Sequence, residues 1–376
     1  MRRNRHYIHK LASWPKLHWN QETLANALAS VRHRQGRLLG RMEALGFRLQ
    51  QEAVLQTLTE DVVKSSDIEG EKLDTSQVRS SIARHLGLDV GGVEPADRQV
   101  EGVVEMMLDA TRRYEQPLTP ERLFGWHASL FPAGRSGMRK VRVGAWRDDS
   151  PGPMQVVSGP VGRERVHFEA PAADRLDDEM KAFLDWFNDE RDSPSLDAVL
   201  KAGLAHFWFV TIHPFDDGNG RIARAIADMM LARSERSSQR FYSMSAQIRQ
   251  ERNDYYQILE HTQKGTLDVT PWMEWFLACL GRAIEGAQTT LAAVLHKASF
   301  WQAIRDVPIN ERQRLVLNRV LDGFEGNLTT SKWAAITKCS SDTALRDILD
   351  LVERGVLARN PGAGRNTSYT LAEIRR

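Results

Sequence analysis

Between Leu196 and Val210 the chain places apolar side chains on most sides of a helix, not along one stripe: Val199, Leu200, Ala202, Leu204, Ala205, Phe207, Trp208, Phe209 and Val210. A helix with almost no polar face belongs at the centre of a core, so the sequence predicts a mostly α fold built around it. The run is too short for a membrane span, and no stretch of about 18 apolar residues occurs elsewhere. At 376 residues the chain is too long for one small core and predicts two or three domains.

Helical periodicity dominates the rest. Asn20 is placed to cap a helix carrying Leu24, Leu28, Val31, Leu38, Met42 and Leu45, with Gly46 ending it. A second helix is expected over Leu49 to Val63. It is closed by Ser65-Ser66-Asp67-Ile68-Glu69-Gly70, with Gly70 as the C-terminal stop. Asp97 and Thr119-Pro120-Glu121 read as further helix starts. From 134 to 171 glycine and proline punctuate short strand-like runs (Val141 to Trp146, Met154 to Val157, Arg165 to Phe168), which reads as a β-hairpin or flap. Helices resume over Asp174 to Glu190, Asn219 to Arg233, Arg249 to His261 and Pro271 to His296. After Arg305-Asp306-Val307-Pro308 the pattern becomes three short helices (Glu311 to Asp322, Ser331 to Ala335, Ser341 to Arg354). Two strands around a Gly362-Ala363-Gly364 turn follow, as in a winged helix. The expected domains are therefore 1–96, 97–300 and 305–376.

The stretch that carries chemistry is His213-Pro214-Phe215-Asp216-Asp217-Gly218-Asn219-Gly220-Arg221-Ile222-Ala223-Arg224. The buried helix ends at Ile212, and Pro214 forces an extended turn that leaves His213 at the mouth of a loop. Gly218 and Gly220 let backbone approach a ligand closely. The next helix starts there, so its free N–H groups and positive dipole end make an anion site suited to phosphates. Arg221 and Arg224 share a face of that helix and can clamp further phosphate charge. Asp217 is the acid best placed to hold magnesium, and His213 is the group able to take a proton near neutral pH. Together these parts describe nucleotidyl or phosphoryl transfer.

At every fixed position this string resembles the signature of the Fic family, H-P-F-x-D/E-G-N-G-R-x-x-R. The resemblance implies a Fic-type helical core with a flap, and AMP transfer from ATP to a Ser, Thr or Tyr hydroxyl of a target protein. It implies His213 as the base, Asp217 as the magnesium ligand, and Asn219 with the loop amides of Gly218 and Gly220 at the α-phosphate. Arg221 and Arg224 would hold the β- and γ-phosphates, and Phe215 would anchor the loop. Glycine at 220 is similar to the AMP-transferring arrangement, since a relative in the superfamily has lysine there and acts as a kinase. Ser65-x-x-x-Glu69-Gly70 resembles the inhibitory-helix pattern S/T-x-x-x-E-G/N, in which Glu69 pairs with Arg224 and blocks the γ-phosphate. The same glutamate could position water for the reverse reaction. The flap, about 144–170, resembles the one on which a target segment adds as a strand, with Met154, Gln155, Val156 and Val157 as the docking residues. Tyr255 and Tyr256 are similar to a pair near the adenine, with Gln263 as an added hydrogen-bonding group. The region around Trp14 and Trp19 looks like an uncharacterised domain that precedes many Fic cores. Homodimer formation and self-modification are implied by the same resemblance. His206, on the buried helix, reads as a core histidine.

A formal net charge of +2 gives no case for nucleic acid or a membrane surface. The alternative, a winged-helix DNA-binding regulator with a secondary catalytic core, rests on Lys332, Lys338, Arg346, Arg354, Arg359 and Arg365. Asp342, Asp347, Asp350 and Glu353 offset them on the helix that would enter the groove, which favours protein docking. Cys279 and Cys339 lack metal-ligand spacing and are expected to be reduced thiols. The basic start, Met1-Arg2-Arg3-Asn4-Arg5, is followed by no signal-length apolar stretch, and the expected location is the cytoplasm.

Overall fold

The computed structural model describes residues 7–88, 95–150, 152–160, 163–189, 196–324, 326–361 and 367–372. The expected Gly362-Ala363-Gly364 turn and Arg365 lie outside those residues.

Asn20 caps α1 (Gln21–Glu43), its side chain accepting the Thr23 N–H at 3.1 Å. Gly46 does not end α1. The helix closes at Ala44, and Gly46, with an ordinary φ of −63°, starts α2 (Phe47–Ile68). That helix runs past Val63 because Ser65, Ser66 and Ile68 are themselves buried against the core. Helix α3 (Thr75–Leu86) is not anticipated by the periodicity, yet it has ordinary signals at both ends. Asp74 Oδ1 accepts the N–H groups of Ser76 and Gln77, and Gly87 terminates it at φ 69°. Helices α4 (Arg98–Arg112) and α5 (Pro120–Leu130) start at Asp97 and Thr119, each side chain capping its helix.

The flap region begins with a short hairpin of β1 (Arg135–Ser136) and β2 (Arg139–Lys140), then β3 (Gln155–Ser158) and β4 (Arg165–Glu169) pair antiparallel. Val141 to Trp146, expected as a strand, is irregular backbone. Its apolar spacing reflects Trp146 packing edge-on to Phe124 at 4.5 Å, not a ladder. Helices α6 (Leu176–Asn188), α7 (Ala198–Ile212) and α8 (Asn219–Glu235) follow. The single helix expected over Arg249 to His261 is two, α9 (Met244–Gln250) and α10 (Arg252–Gln263). Glu251 leaves the helical basin between them, and its carboxylate is held by both forks of Arg282 at 2.5 and 2.6 Å. Every residue of α7 from Val199 to Ile212 is buried, with α6, α8 and α11 (Thr270–Ala303) around it. Helix α2 packs beside this core on α3, α9 and α11.

Helix α11 is longer than expected because its end serves a second core. Phe300, and Ile304 just beyond the helix, join Val316, Leu317, Trp333, Ile348 and Leu351. That core lies among α12 (Glu311–Leu321), α13 (Thr330–Thr337), α14 (Ser341–Glu353) and a sheet of β5 (Leu328–Thr329), β6 (Leu357–Arg359) and β7 (Ser368–Leu371) in the order β5-β7-β6. A four-charge cluster ties this unit to α2 and α3. Arg79 and Lys297 both reach Glu52 of α2, at 2.6 and 2.9 Å, and both reach Asp322, at 3.3 and 2.7 Å. No helix among the described residues is long and apolar enough to cross a membrane.

Candidate functional site

The loop between α7 and α8 is held from several sides. His213 sits in the left-handed region at φ 53°, its N–H still bonded to Phe209 O at 2.9 Å, so the chain leaves α7 abruptly. Arg147, almost fully buried, braces the turn. Its Nε donates to His213 O at 2.8 Å, its N–H to Pro214 O at 2.9 Å, and Nη2 to Pro171 O at 2.5 Å. Phe215 is wholly buried and stacks flat on His127, ring centres 4.2 Å apart and planes 12° apart. Burying a phenyl ring stabilises by about 1.5–3 kcal/mol, enough to pin the loop. The Asn219 side chain spans the turn, accepting the Phe215 N–H at 3.0 Å and donating to Phe215 O at 2.8 Å. Gly218, at φ 79°, makes the last reversal before α8.

His213 is half-buried at this mouth. Its Nδ1 lies 3.2 Å from Val210 O, a contact only Nδ1–H can satisfy, so Nε2 carries the lone pair. The protein packed around the ring holds its pKa at about 4, below the usual 6.5, so the ring is neutral at pH 7. Asp216 and Asp217 separate in role. Asp216 Oδ2 accepts the Arg142 N–H at 2.9 Å and ties the loop to the flap base. Asp217, half-buried, accepts the Gly218 N–H at 2.6 Å beside the start of α8.

Arg221 and Arg224, in the first turns of α8, are buried, and both meet acids from the end of α2. Arg224 Nη2 donates to Glu69 Oε1 at 2.8 Å and to Ser65 O at 2.9 Å, and its Nε donates to Ser65 Oγ at 3.0 Å. Burial, the largest single influence, pulls the Arg224 pKa down; the Glu69 carboxylate together with the Tyr255 and Tyr256 hydroxyls more than offsets it, so the pKa lies above its ordinary value. Arg221 Nη1 donates to Glu71 Oε2 at 2.5 Å, and its guanidinium lies over the Phe131 ring at 5.1 Å. Arg221 Nε and Arg224 Nη1 are buried donors with no partner among the described residues, which is a fit for an anionic ligand with several acceptors. Glu69 also covers Gly220 closely: a Cβ there would lie 2.2 Å from Glu69 Oε1.

Of the other residues singled out from sequence, Tyr255 is buried with its OH 2.9 Å from His206 Nε2, and its ring packs on Trp275. Tyr256 is half-buried, with the Arg252 guanidinium 4.9 Å over its ring. Gln263 is buried and donates to Thr211 Oγ1 at 3.2 Å, tying α10 to the end of α7. Met154 and Val156 pack with Tyr7, Phe168 and Ala170 in a small cluster under the flap, while Val157 is exposed. β3, which starts at Gln155, pairs with β4 on one edge and with no strand among the described residues on the other. The sequence reading missed Arg147, His127 and Glu71. Spacing gives no sign of the first two, whose partners are brought in by tertiary packing. Glu71 had a sign: it is the first side chain after the glycine stop that follows Glu69.

A helical core, a pinned loop with a free imidazole nitrogen, and a helix start with two buried arginines define an anion-binding site fitted for proton transfer. Residues 117–231 match the Fic/DOC family, and residues 7–88 match a domain of unknown function, DUF4172. The chain carries a Fic/DOC domain. Among its relatives, the protein adenylyltransferase Fic of Nematostella vectensis is 34% identical over 129 residues, covering 34% of this chain and 28% of that one. The protein of the same name from Drosophila willistoni is 26% identical over 233 residues, covering 60% and 40%. This chain therefore spans less than half the length of either relative. In fold it is similar to a Fic family protein from Desulfovibrio desulfuricans, with TM-score 0.54 and 21% identity over 96% of this chain and 98% of that one. It is also similar to a Fic-domain-containing signaling protein from Bacteroides thetaiotaomicron, with TM-score 0.52 and 21% identity over 70% and 97%.

Proposed function

We propose that this chain is a protein adenylyltransferase, moving AMP from ATP to a hydroxyl side chain of a target protein, and that Glu69 holds it inactive. The observation that carries the reading is one arrangement: an unprotonated His213 Nε2 at the loop mouth, with two buried arginines at the start of the next helix that keep unpartnered donors. In the transfer the target oxygen attacks the α-phosphorus, its proton passes to His213 Nε2, and pyrophosphate leaves. The loop amides and α8 N-terminus stabilise charge on the α-phosphate, and Arg221 and Arg224 stabilise it on the leaving group. Asn219 serves by shaping the loop through its bonds to Phe215. Asp217, beside the helix start, is the residue that would hold magnesium, which when bound offsets phosphate charge. Tyr256, more accessible than Tyr255, is the ring of the pair suited to the purine.

Glu69 occupies Arg224 and overhangs Gly220, so a triphosphate and this carboxylate compete for one place. The open edge of β3 suits a target segment adding as a strand, which would bring its hydroxyl toward His213. The C-terminal helices and sheet are read as a winged helix that docks protein. On α14, Leu345 and Leu349 are 38% and 51% exposed, while Asp347 pairs with Arg312 and Asp350 with Arg354. A gel shift with random DNA separates this from the DNA-binding alternative, which requires strong, salt-dependent retardation.

The test of the main reading is incubation of the Glu69→Gly variant with magnesium and ATP labelled at the α-phosphate, in the presence of cell lysate. Transfer of label to protein, lost on adding His213→Ala, supports it. In a parallel reaction with ATP labelled at the γ-phosphate, transfer of that label with none from the α-phosphate makes the chain a kinase and removes the reading.

A further inference from the structure

We infer that Glu71 is a second inhibitory carboxylate, acting on Arg221 as Glu69 acts on Arg224, so that α2 blocks both phosphate-binding arginines and not one. The inference rests on the nucleotide-transfer reading above and deepens it.

The geometry follows from how α2 ends. The Gly70 N–H bonds to Asp67 O at 3.1 Å and the Glu71 N–H bonds to Ser66 O at 3.0 Å, the paired bonds of a Schellman cap. Gly70 supplies the left-handed residue this cap needs, at φ 85°. The reversal returns the chain so that the side chains on either side of Gly70 face the same helix, α8, one turn apart. Glu69 takes Arg224 at 2.8 Å and Glu71 takes Arg221 at 2.5 Å. The Arg221 side chain is only 1% exposed, against 27% for Glu71, so the acid covers the guanidinium from the solvent side. Gln99 Nε2 donates to the same Glu71 oxygen at 3.3 Å, which ties the acid to α4 as well.

Physical consequences follow. A charge-assisted pair at this distance is strong and removes Arg221 from competition for phosphate oxygens. Two carboxylates at the mouth of an anion site also repel a triphosphate more than one does. Removing Glu69 alone leaves Arg221 engaged, so it releases only part of the inhibition. Full release requires both acids to leave their arginines, and the shared cap couples their positions.

The test compares Glu69→Gly, Glu71→Gln and the double variant for ATP affinity by calorimetry and for self-labelling from α-labelled ATP. Thermal melts establish that each is folded. Glu71→Gln keeps the shape of the side chain and removes its charge. The expected result is that the double variant binds ATP about tenfold more tightly than Glu69→Gly, a coupling of ordinary allosteric size. Glu71→Gln alone should gain less, because Glu69 still blocks Arg224. An active Glu69→Gly variant that gains no ATP affinity on adding Glu71→Gln overturns the inference and leaves the function reading standing. A Glu69→Gly variant that neither binds ATP nor transfers AMP overturns both.

Discussion

Glu69 Oε1 accepts a hydrogen bond from Arg224 Nη2 at 2.8 Å, a contact between residues 155 positions apart. The arginine is buried and also held by Ser65, while the glutamate stays 29% exposed. The arginine is thus the fixed partner and the acid the one that can leave. For Glu69→Gly we expect basal self-labelling to rise by roughly 5- to 150-fold, the range of coupling energies of about 1–3 kcal/mol. Quantifying label from α-labelled ATP in the two proteins checks it; equal incorporation removes the inhibitory role.

His213→Ala should lower transfer by about 10²–10⁴-fold, the usual contribution of a positioned base. The pH profile is more specific. With a pKa of about 4 in the free protein, the base is already unprotonated across the neutral range. The acid limb of kcat/KM, which reports the free enzyme, should therefore fall near 4 and not near the ordinary 6.5. The negative charge of Glu69 raises this pKa, so the Glu69→Gly variant should show a limb no higher than the wild type. A limb centred near 6.5 in either protein would mean that the titrating base is not this shielded ring.

Much of this arrangement is legible in the sequence because it is local. The apolar surround of α7, the caps at Asn20, Asp97 and Thr119, and the His213–Arg224 string are each set by residues within a turn or two. What was misread depends on distant partners. Val141 to Trp146 reads like a strand, but the segment is irregular backbone that sets the Trp146 ring against Phe124 and Phe215. Glu251 breaks a helical pattern because Arg282, on α11, fixes its carboxylate. Arg147 looks like one more surface cation until the fold buries it against three carbonyl groups. Helix α3 is a different failure, since Asp74 and Gly87 mark both its ends in the local sequence.

Stability should fall in mild acid, for a reason separate from catalysis. His9, His127 and His206 are buried and neutral, with pKa values lowered to about 4, 4 and 3, in each case first by burial. Unfolded, each titrates near 6.5, so below that pH the unfolded chain binds protons the folded chain refuses. Folded stability is therefore full above about 6.5 and declines as pH falls toward about 4, by roughly 1.4 kcal/mol per pH unit for each such ring. His206→Gln keeps a hydrogen-bonding partner for the Tyr255 OH and cannot take a charge. Thermal melts between pH 7 and 5 should show a shallower loss in that variant. An unchanged slope would mean that His206 becomes protonated inside the fold.

Gly70→Ala tests the cap itself. A Cβ at Gly70 meets no atom within 4 Å, so the substitution adds no clash, only the cost of holding alanine at φ 85°. That cost is about 1–2 kcal/mol, paid only while the cap is formed. The cap is what aims Glu69 and Glu71 at α8, so weakening it should release both acids for part of the time. We expect a several-fold rise in basal AMP transfer, smaller than that of Glu69→Gly, since both carboxylates remain attached. Hydrogen exchange at the Glu71 amide, which bonds to Ser66 O, should quicken in parallel. Faster exchange without any gain in transfer would separate the cap from inhibition and leave it a purely structural stop.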